Sequence, residues 1–249
     1  MMKAIPAAPY LPGMAKTESK GMRSGLHYVV EFLVILLGIT VSVTIEKNNA
    51  REYKENVKNQ SLARILTNIR QDSIDFNFNI AVHEPAHRSC TWMLEHRDHL
   101  AEEHPDSVGR HCSMCVMGQT IFVDNQEEYR TLQNSGLMEL IENDSLARAL
   151  QGKYVEHEFL RKIENSINES ANISIEQYFS TMETTPDMEY HMGYIPLKRW
   201  TGEPLPAAYL ERIGMLQFWH EAYSIRMGRR QARDAELSRW IRAEIAGKP

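Results

Sequence analysis

The stretch Tyr28–Ile45, YVVEFLVILLGITVSVTI, constrains this chain more than any other, because it is too apolar to lie on the surface of a domain in water. Seventeen of its eighteen residues carry no charge, and the exception, Glu31, lies one turn from its start. As a helix rising about 1.5 Å per residue it reaches roughly 27 Å, enough to cross the hydrocarbon core of a bilayer. We read it as a single transmembrane helix. Mean hydropathy over the whole chain is -0.44, so the remainder is polar and no second span is expected. Residues 1–27 carry Pro6, Pro9 and Pro12 and little periodicity, which predicts a flexible N-terminal tail. The apolar run passes into TIEKNNAREYKE with no small-residue cleavage site, so an uncleaved signal-anchor is expected.

Two features inside the span point to contacts within the membrane. Gly38 and Ser42 lie four apart, a small-xxx-small spacing that lets two helix backbones approach closely. Glu31 is an intramembrane carboxylate, costly to hold in hydrocarbon but near enough to the boundary to reach water.

Beyond the membrane the chain is long enough for one good-sized domain, and 43% hydrophobic with 8% aromatic residues supports a real core. A net charge of -5 excludes a dedicated nucleic-acid binder. From Glu46 the sequence stays helix-friendly to about Leu100. Leu62, Leu66, Ile69, Ser73, Phe76, Ile80, His83, His87, Cys90 and Leu94 step by four and three, a heptad seam for packing along a partner helix. The partner is either a copy of this chain or its own later helices. We expect an all-α fold, with the span continuing into a stalk helix over 46–101. A His/Cys-containing loop over 102–123 and a helical domain over 124–249 follow. In that last part Asn143, Asp144 and Ser145 offer a cap for a helix running to about Met182, and 183–206 is a long irregular connection. A final helix runs from about Pro206 to Ala246.

All three cysteines and six of the ten histidines fall between residues 83 and 115. Imidazole and thiolate are the ligands zinc prefers, so His83, His87, Cys90, His111, Cys112 and Cys115 are the metal-ligating candidates. His83-Glu84-Pro85-Ala86-His87 has the ligand spacing of HExxH, but Pro85 is expected to kink or break the helix on which that motif depends. A CxxCH haem motif fails at Val116, and no second CxxC accompanies Cys112 and Cys115. Disulfide pairing among Cys90, Cys112 and Cys115, or inert thiols, is the more ordinary expectation in an oxidising compartment. On the last helix Arg226, Arg230 and Arg233 share a face that could meet anionic lipid, phosphate or an acidic partner, and whose more ordinary role is a solvated face pairing with Glu211, Glu221, Asp234 and Glu236. No phosphate loop, nucleophile elbow or paired-carboxylate signature is present, so no catalytic residue is assigned and an enzyme is not the favoured reading.

Two blocks carry a resemblance. VEFLVILLGITVSVTIEKN, with Glu31, Gly38, Ile39, Asn48 and Asn49, resembles the N-terminal segment of a bacterial family of single-pass membrane proteins of unknown function. EEYRTLQNSGLMELIENDSLARALQGKY, from Glu127 to Tyr154, is similar to that family's downstream signature, and the two together cover about a fifth of the chain. The resemblance implies a membrane-anchored helical domain, no assigned activity, and the bacterial inner (cytoplasmic) membrane. The His/Cys segment has no place in the pattern. Lys and Arg nearly balance across the span, and a short tail stays behind more readily than it crosses. This predicts a cytoplasmic N-terminus and a periplasmic domain. The leading function is therefore a membrane-anchored interaction or scaffold protein with no cofactor, held in the lipid bilayer. Its partner is a second copy of itself or another membrane protein. The competing expectation is a zinc-binding or thiol-redox domain built on residues 83–115.

Overall fold

The computed structural model describes residues 20–247, with side chains from Gly25. Five α-helices and two short two-stranded hairpins follow in the order α1 (Lys20–Glu95), α2 (Pro105–Met117), α3 (Glu127–Asn134), α4 (Asp144–Thr181), β1 (Met182–Glu183), β2 (Glu189–His191), β3 (Ile195–Leu197), β4 (Arg199–Trp200) and α5 (Ala207–Ile245). The fold is all-α. Its residues divide into two compact units, one ending at Tyr53 and one beginning at Lys54.

The first unit is the N-terminal part of α1. It is long and apolar enough to cross a membrane, with mean hydropathy 2.3 over its most apolar 18-residue window and none of that window buried. Helix begins at Lys20, earlier than the sequence predicts, so the last residues of the expected tail are helical; residues 1–19 lie outside the described residues. The hydroxyls of Thr40 and Thr44 donate to the carbonyls of Leu36 and Thr40, each at 2.8 Å. That bonding satisfies both groups inside their own helix, as an apolar solvent demands.

In the second unit the remainder of α1 packs with α2, α4 and α5. The buried line on α1 is Leu62, Ile65, Ile69, Asp72, Phe76, Asn79, His83, Ala86, Cys90 and Met93. One half of the predicted seam is therefore right. The other half is shifted back by one residue, so Asp72 and Asn79 point inward where Ser73 and Ile80 were expected. The partners are helices of the same chain. Residues Leu62–Ile69 join α3, the start of α4 and the end of α5 in one apolar cluster, while Phe76–Met93 join α2 and the rest of α4 and α5 in another.

Pro85 lies inside α1, which runs on through it without a break. The absent N–H leaves the carbonyl one turn back, at Ala81, without a helical partner, and Ala81 is exposed to water. Burial of Phe76, Val82, Ala86 and Cys90 on the other side outweighs the local cost.

The expected loop over 102–123 is largely helical. The His104 side chain accepts from the Asp106 N–H and Pro105 occupies the first turn, which starts α2. Val108, Cys112, Cys115 and Val116 then bury one stripe of it. Gly109 lets α2 touch the backbone of the β3–β4 segment: a Cβ there would stand 2.1 Å from the Lys198 carbonyl oxygen. The region 183–206 is two antiparallel hairpins, β1 with β4 and β2 with β3. Trp200 anchors it, whereas Tyr190 and Tyr194 are exposed. Asn143 caps α4 as predicted, accepting from the N–H groups of Ser145 and Leu146. Phe159 is exposed and its neighbour Leu160 buried instead.

Lys58 closes one end of the bundle. Its Nζ donates to Glu244 Oε1 at 2.9 Å and to the Leu140 carbonyl at 3.1 Å, and lies 2.7 Å from Glu55. Burial would push this amine down, but bonds to Glu55 and Glu244 outweigh it and hold its pKa above the usual lysine value.

Candidate functional site

Between Met117 and Glu127 the chain is extended and lies in the groove between α1 and α4. It runs antiparallel to both helices. Thr120 and Phe122 are buried, while Ile121 and Val123 face outward. A strand without a sheet must find other partners for its backbone, and two carboxylates supply them. Glu164 on α4 accepts the Phe122 N–H at 2.9 Å, and Asp75 on α1 accepts the Val123 N–H at 3.2 Å. Burial raises the pKa of both carboxyl groups, against the lowering effect of those backbone bonds. The Phe122 ring stacks on Phe76 at 5.2 Å and meets the His157 ring edge-on at 4.9 Å.

Beneath this strap lie two buried polar networks. In the first, the Thr120 hydroxyl donates to Asn79 Oδ1, and Asn79 Nδ2 donates to the Asp75 carbonyl at 2.8 Å. With its proton so committed, Thr120 accepts from His83 Nε2 at 2.7 Å. His83 Nδ1 then faces His220 Nδ1 at 2.7 Å, while His220 Nε2 faces the Cys115 carbonyl at 3.4 Å; a neutral His220 has one N–H and donates to one of the two. Burial and the facing His220 hold the His83 pKa well below the ordinary histidine value. Burial lowers His220 to about 4, with His87 adding to the effect and the Cys115 carbonyl opposing it.

The second network is richer. Lys153 on α4 is fully buried, and its Nζ contacts Asp72 Oδ2 at 2.7 Å, Asp234 Oδ2 at 3.0 Å and His157 Nε2 at 3.1 Å. An ammonium only donates, so His157 Nε2 is the acceptor and Nδ1 carries the proton, donating to Asp124 Oδ1 at 2.7 Å. Burial raises the Asp124 carboxyl, but His157, Gln126 and Arg161 outweigh it and its pKa is lowered. Around this centre the charges pair off. Asp124 meets Arg161 at 2.9 Å, Asp234 meets Arg230 at 2.9 Å, and Glu156 meets Arg233 at 3.1 Å. Asp72 is left with Lys153 as its counter-ion, both with no exposed side-chain surface, and Lys153 bridges it to Asp234. Asp72, His157 and Asp234 stand close enough together to hold a metal ion. The Lys153 ammonium contacts all three, in the position a cation would take.

The predicted ligand candidates face different surroundings. His83 is committed to His220 and Thr120. His87 shares its helix face, since α1 is unbroken, but its Nδ1 bonds to the Gln217 carbonyl at 3.1 Å and it lines a surface cleft with Glu84, Glu221 and Ser224. His111 bonds to Ser89 and stacks on Trp92 at 4.1 Å. Cys90, Cys112 and Cys115 are buried free thiols in one apolar cluster. Burial raises Cys112 to about 12 and Cys115 well above the usual thiol value, which keeps them protonated and poorly reactive.

Sequence reasoning missed Asp72, Asp124, Lys153 and His157, and named Asp234 only as a partner for the arginines of the last helix. The available signal was Lys153 and His157 four apart in the apolar stripe of α4, between Leu150 and Leu160. The Arg face of α5 pairs internally, as expected for Arg230 and Asp234, with Glu156 added from α4. No family model, curated protein or solved structure matches this chain.

Proposed function

We propose that this chain is a membrane-anchored helical interaction module of the bacterial inner membrane, self-associating through the span face that carries Gly38 and Ser42. The observation that supports this reading most is a contrast between the two units. In the second, the chemistry-bearing side chains are spent on one another: His83 on His220, Lys153 on Asp72, His157 on Asp124. In the first, every apolar side chain from Tyr28 to Ile45 is exposed, and nothing within the chain stands within 4 Å of a Cβ placed on Gly38. An unpartnered apolar helix is satisfied by lipid and by other helices, and small residues mark the side where helices approach. The N-terminus is cytoplasmic and the bundle periplasmic in this reading.

Cross-linking in native membranes tests it. The wild-type chain is expected to give a discrete higher band that weakens several-fold in Gly38→Leu, a change that leaves the bundle untouched. A monomer with no partner band, or a band indifferent to Gly38→Leu, argues against association through the span.

A further inference from the structure

The charge balance around Lys153 singles out one pair. Every other ion in the network has its own partner: Asp234 has Arg230, Asp124 has Arg161, and Glu156 has Arg233. Among the described residues Asp72 has no cation besides Lys153, whose ammonium it shares with Asp234, in a site with no exposed surface at either the Asp72 or the Lys153 side chain. Phe76 and Tyr154 wall the ammonium at 5.9 and 5.8 Å. An isolated ion pair in such surroundings is held against a large desolvation cost. Two groups equipped to move protons touch the same nitrogen: His157, whose free Nε2 is fixed by its bond to Asp124, and Asp234.

We propose that Lys153 and Asp72 condense into an intramolecular amide that staples α1 to α4. His157 Nε2 takes one proton from the ammonium and returns it to Asp72 Oδ2, so the carboxyl is neutral when the freed lone pair of Nζ attacks its Cγ. The Nζ–Cγ bond forms, Asp234 takes the second proton from the nitrogen, and the Cγ–Oδ2 bond breaks. Both protons end on the departing oxygen, which leaves as water. Ammonium and carboxylate give amide and water, so no oxidant or other co-reactant enters. Asp72 is the electrophile because its other oxygen meets only the Asn125 amide at 3.5 Å, whereas Asp234 Oδ1 faces the Arg230 guanidinium at 2.9 Å. The groups are already within hydrogen-bonding distance, and such pre-ordering supplies the effective concentration that amide formation lacks in water. The product removes two buried charges, and Asp234, which loses the ammonium, keeps Arg230 as its partner.

The test is the intact mass of the full chain, extracted from membranes in detergent and unfolded before measurement. The expected mass is one water below that of the sequence. Peptide mapping is expected to yield a branched peptide joining the Asp72 and Lys153 segments. Lys153→Arg keeps the charge and cannot form the amide, so it returns to full mass. Asp234→Asn, verified as helical by circular dichroism, is expected to show mostly the uncondensed mass. A folded wild-type chain at full mass in both fresh and aged preparations overturns the proposal. So does a water loss that persists in Lys153→Arg.

Discussion

Relative to the uncondensed ion pair, Lys153→Met is expected to destabilise the bundle by about 3–5 kcal/mol, because among the described residues it removes the one cation facing Asp72 and leaves that carboxylate buried and unpaired. In a domain of this size that corresponds to a fall in Tm of roughly 10 °C, read by circular dichroism. Arg230 still neutralises Asp234, so the damage is specific to Asp72. The double variant Lys153→Met/Asp72→Leu should therefore recover the part of the loss that comes from the stranded charge. The two substitutions are strongly non-additive for this reason. A Tm within a degree or two of wild type for Lys153→Met alone contradicts the charge balance drawn here.

Acidification is the second large effect. His220 is neutral when folded, with a pKa of about 4 against an ordinary value of 6.5, and His83 is lowered as well. Between those values the unfolded chain binds protons that the folded chain refuses. The stability from these buried neutral rings is thus complete above pH 6.5 and is lost as pH falls toward 4. For His220 alone the loss reaches about 3 kcal/mol. The groups facing the pair are His87 on α1, the Cys115 carbonyl on α2, Thr120 on the strap and Tyr223 on α5, with Asp75 on α1 and Glu164 on α4 acting on Tyr223 behind them. Asp75 and Glu164, raised by burial, act with the opposite sign: they hold protons better when folded and temper the loss at its acid end. Chemical denaturation from pH 7.5 down to 4.5 should show a falling midpoint, flattened in His220→Gln. An equal slope in that variant contradicts the assignment.

The fold class and the limits of α4 and α5 are legible because they rest on long runs of apolar periodicity. The Asn143 cap, the limits of α4 and α5, and the apolar span all follow from residue type and spacing. The candidate site was illegible for the same reason. A seam read by apolarity selects Ser73 and Ile80, whereas the buried positions are Asp72 and Asn79, one residue earlier. Polar residues take those places only because α4, α5 and the strap supply Lys153, Thr120, His157 and Asp234 from far along the chain. No local pattern announces such partners. The histidines and cysteines of 83–115 drew notice by composition. Pro85 was read from its local cost, which the packing of Val82, Ala86 and Cys90 outweighs. The segment 105–117 was read as loop because its Pro and Gly look like breakers. Pro105 instead starts the helix, and Gly109 lets it lie against Lys198 and Arg199.

The central claim is that the exposed span brings copies of this chain together while the polar interior of the bundle is spent on folding. Counting fluorescently labelled chains by stepwise photobleaching, in membrane patches excised with their native lipid, tests it most directly. The account predicts a fixed number of copies above one for the wild type, falling toward one for Gly38→Leu and unchanged for His83→Gln. Single copies throughout, or a copy number that follows His83 and ignores Gly38, would contradict it.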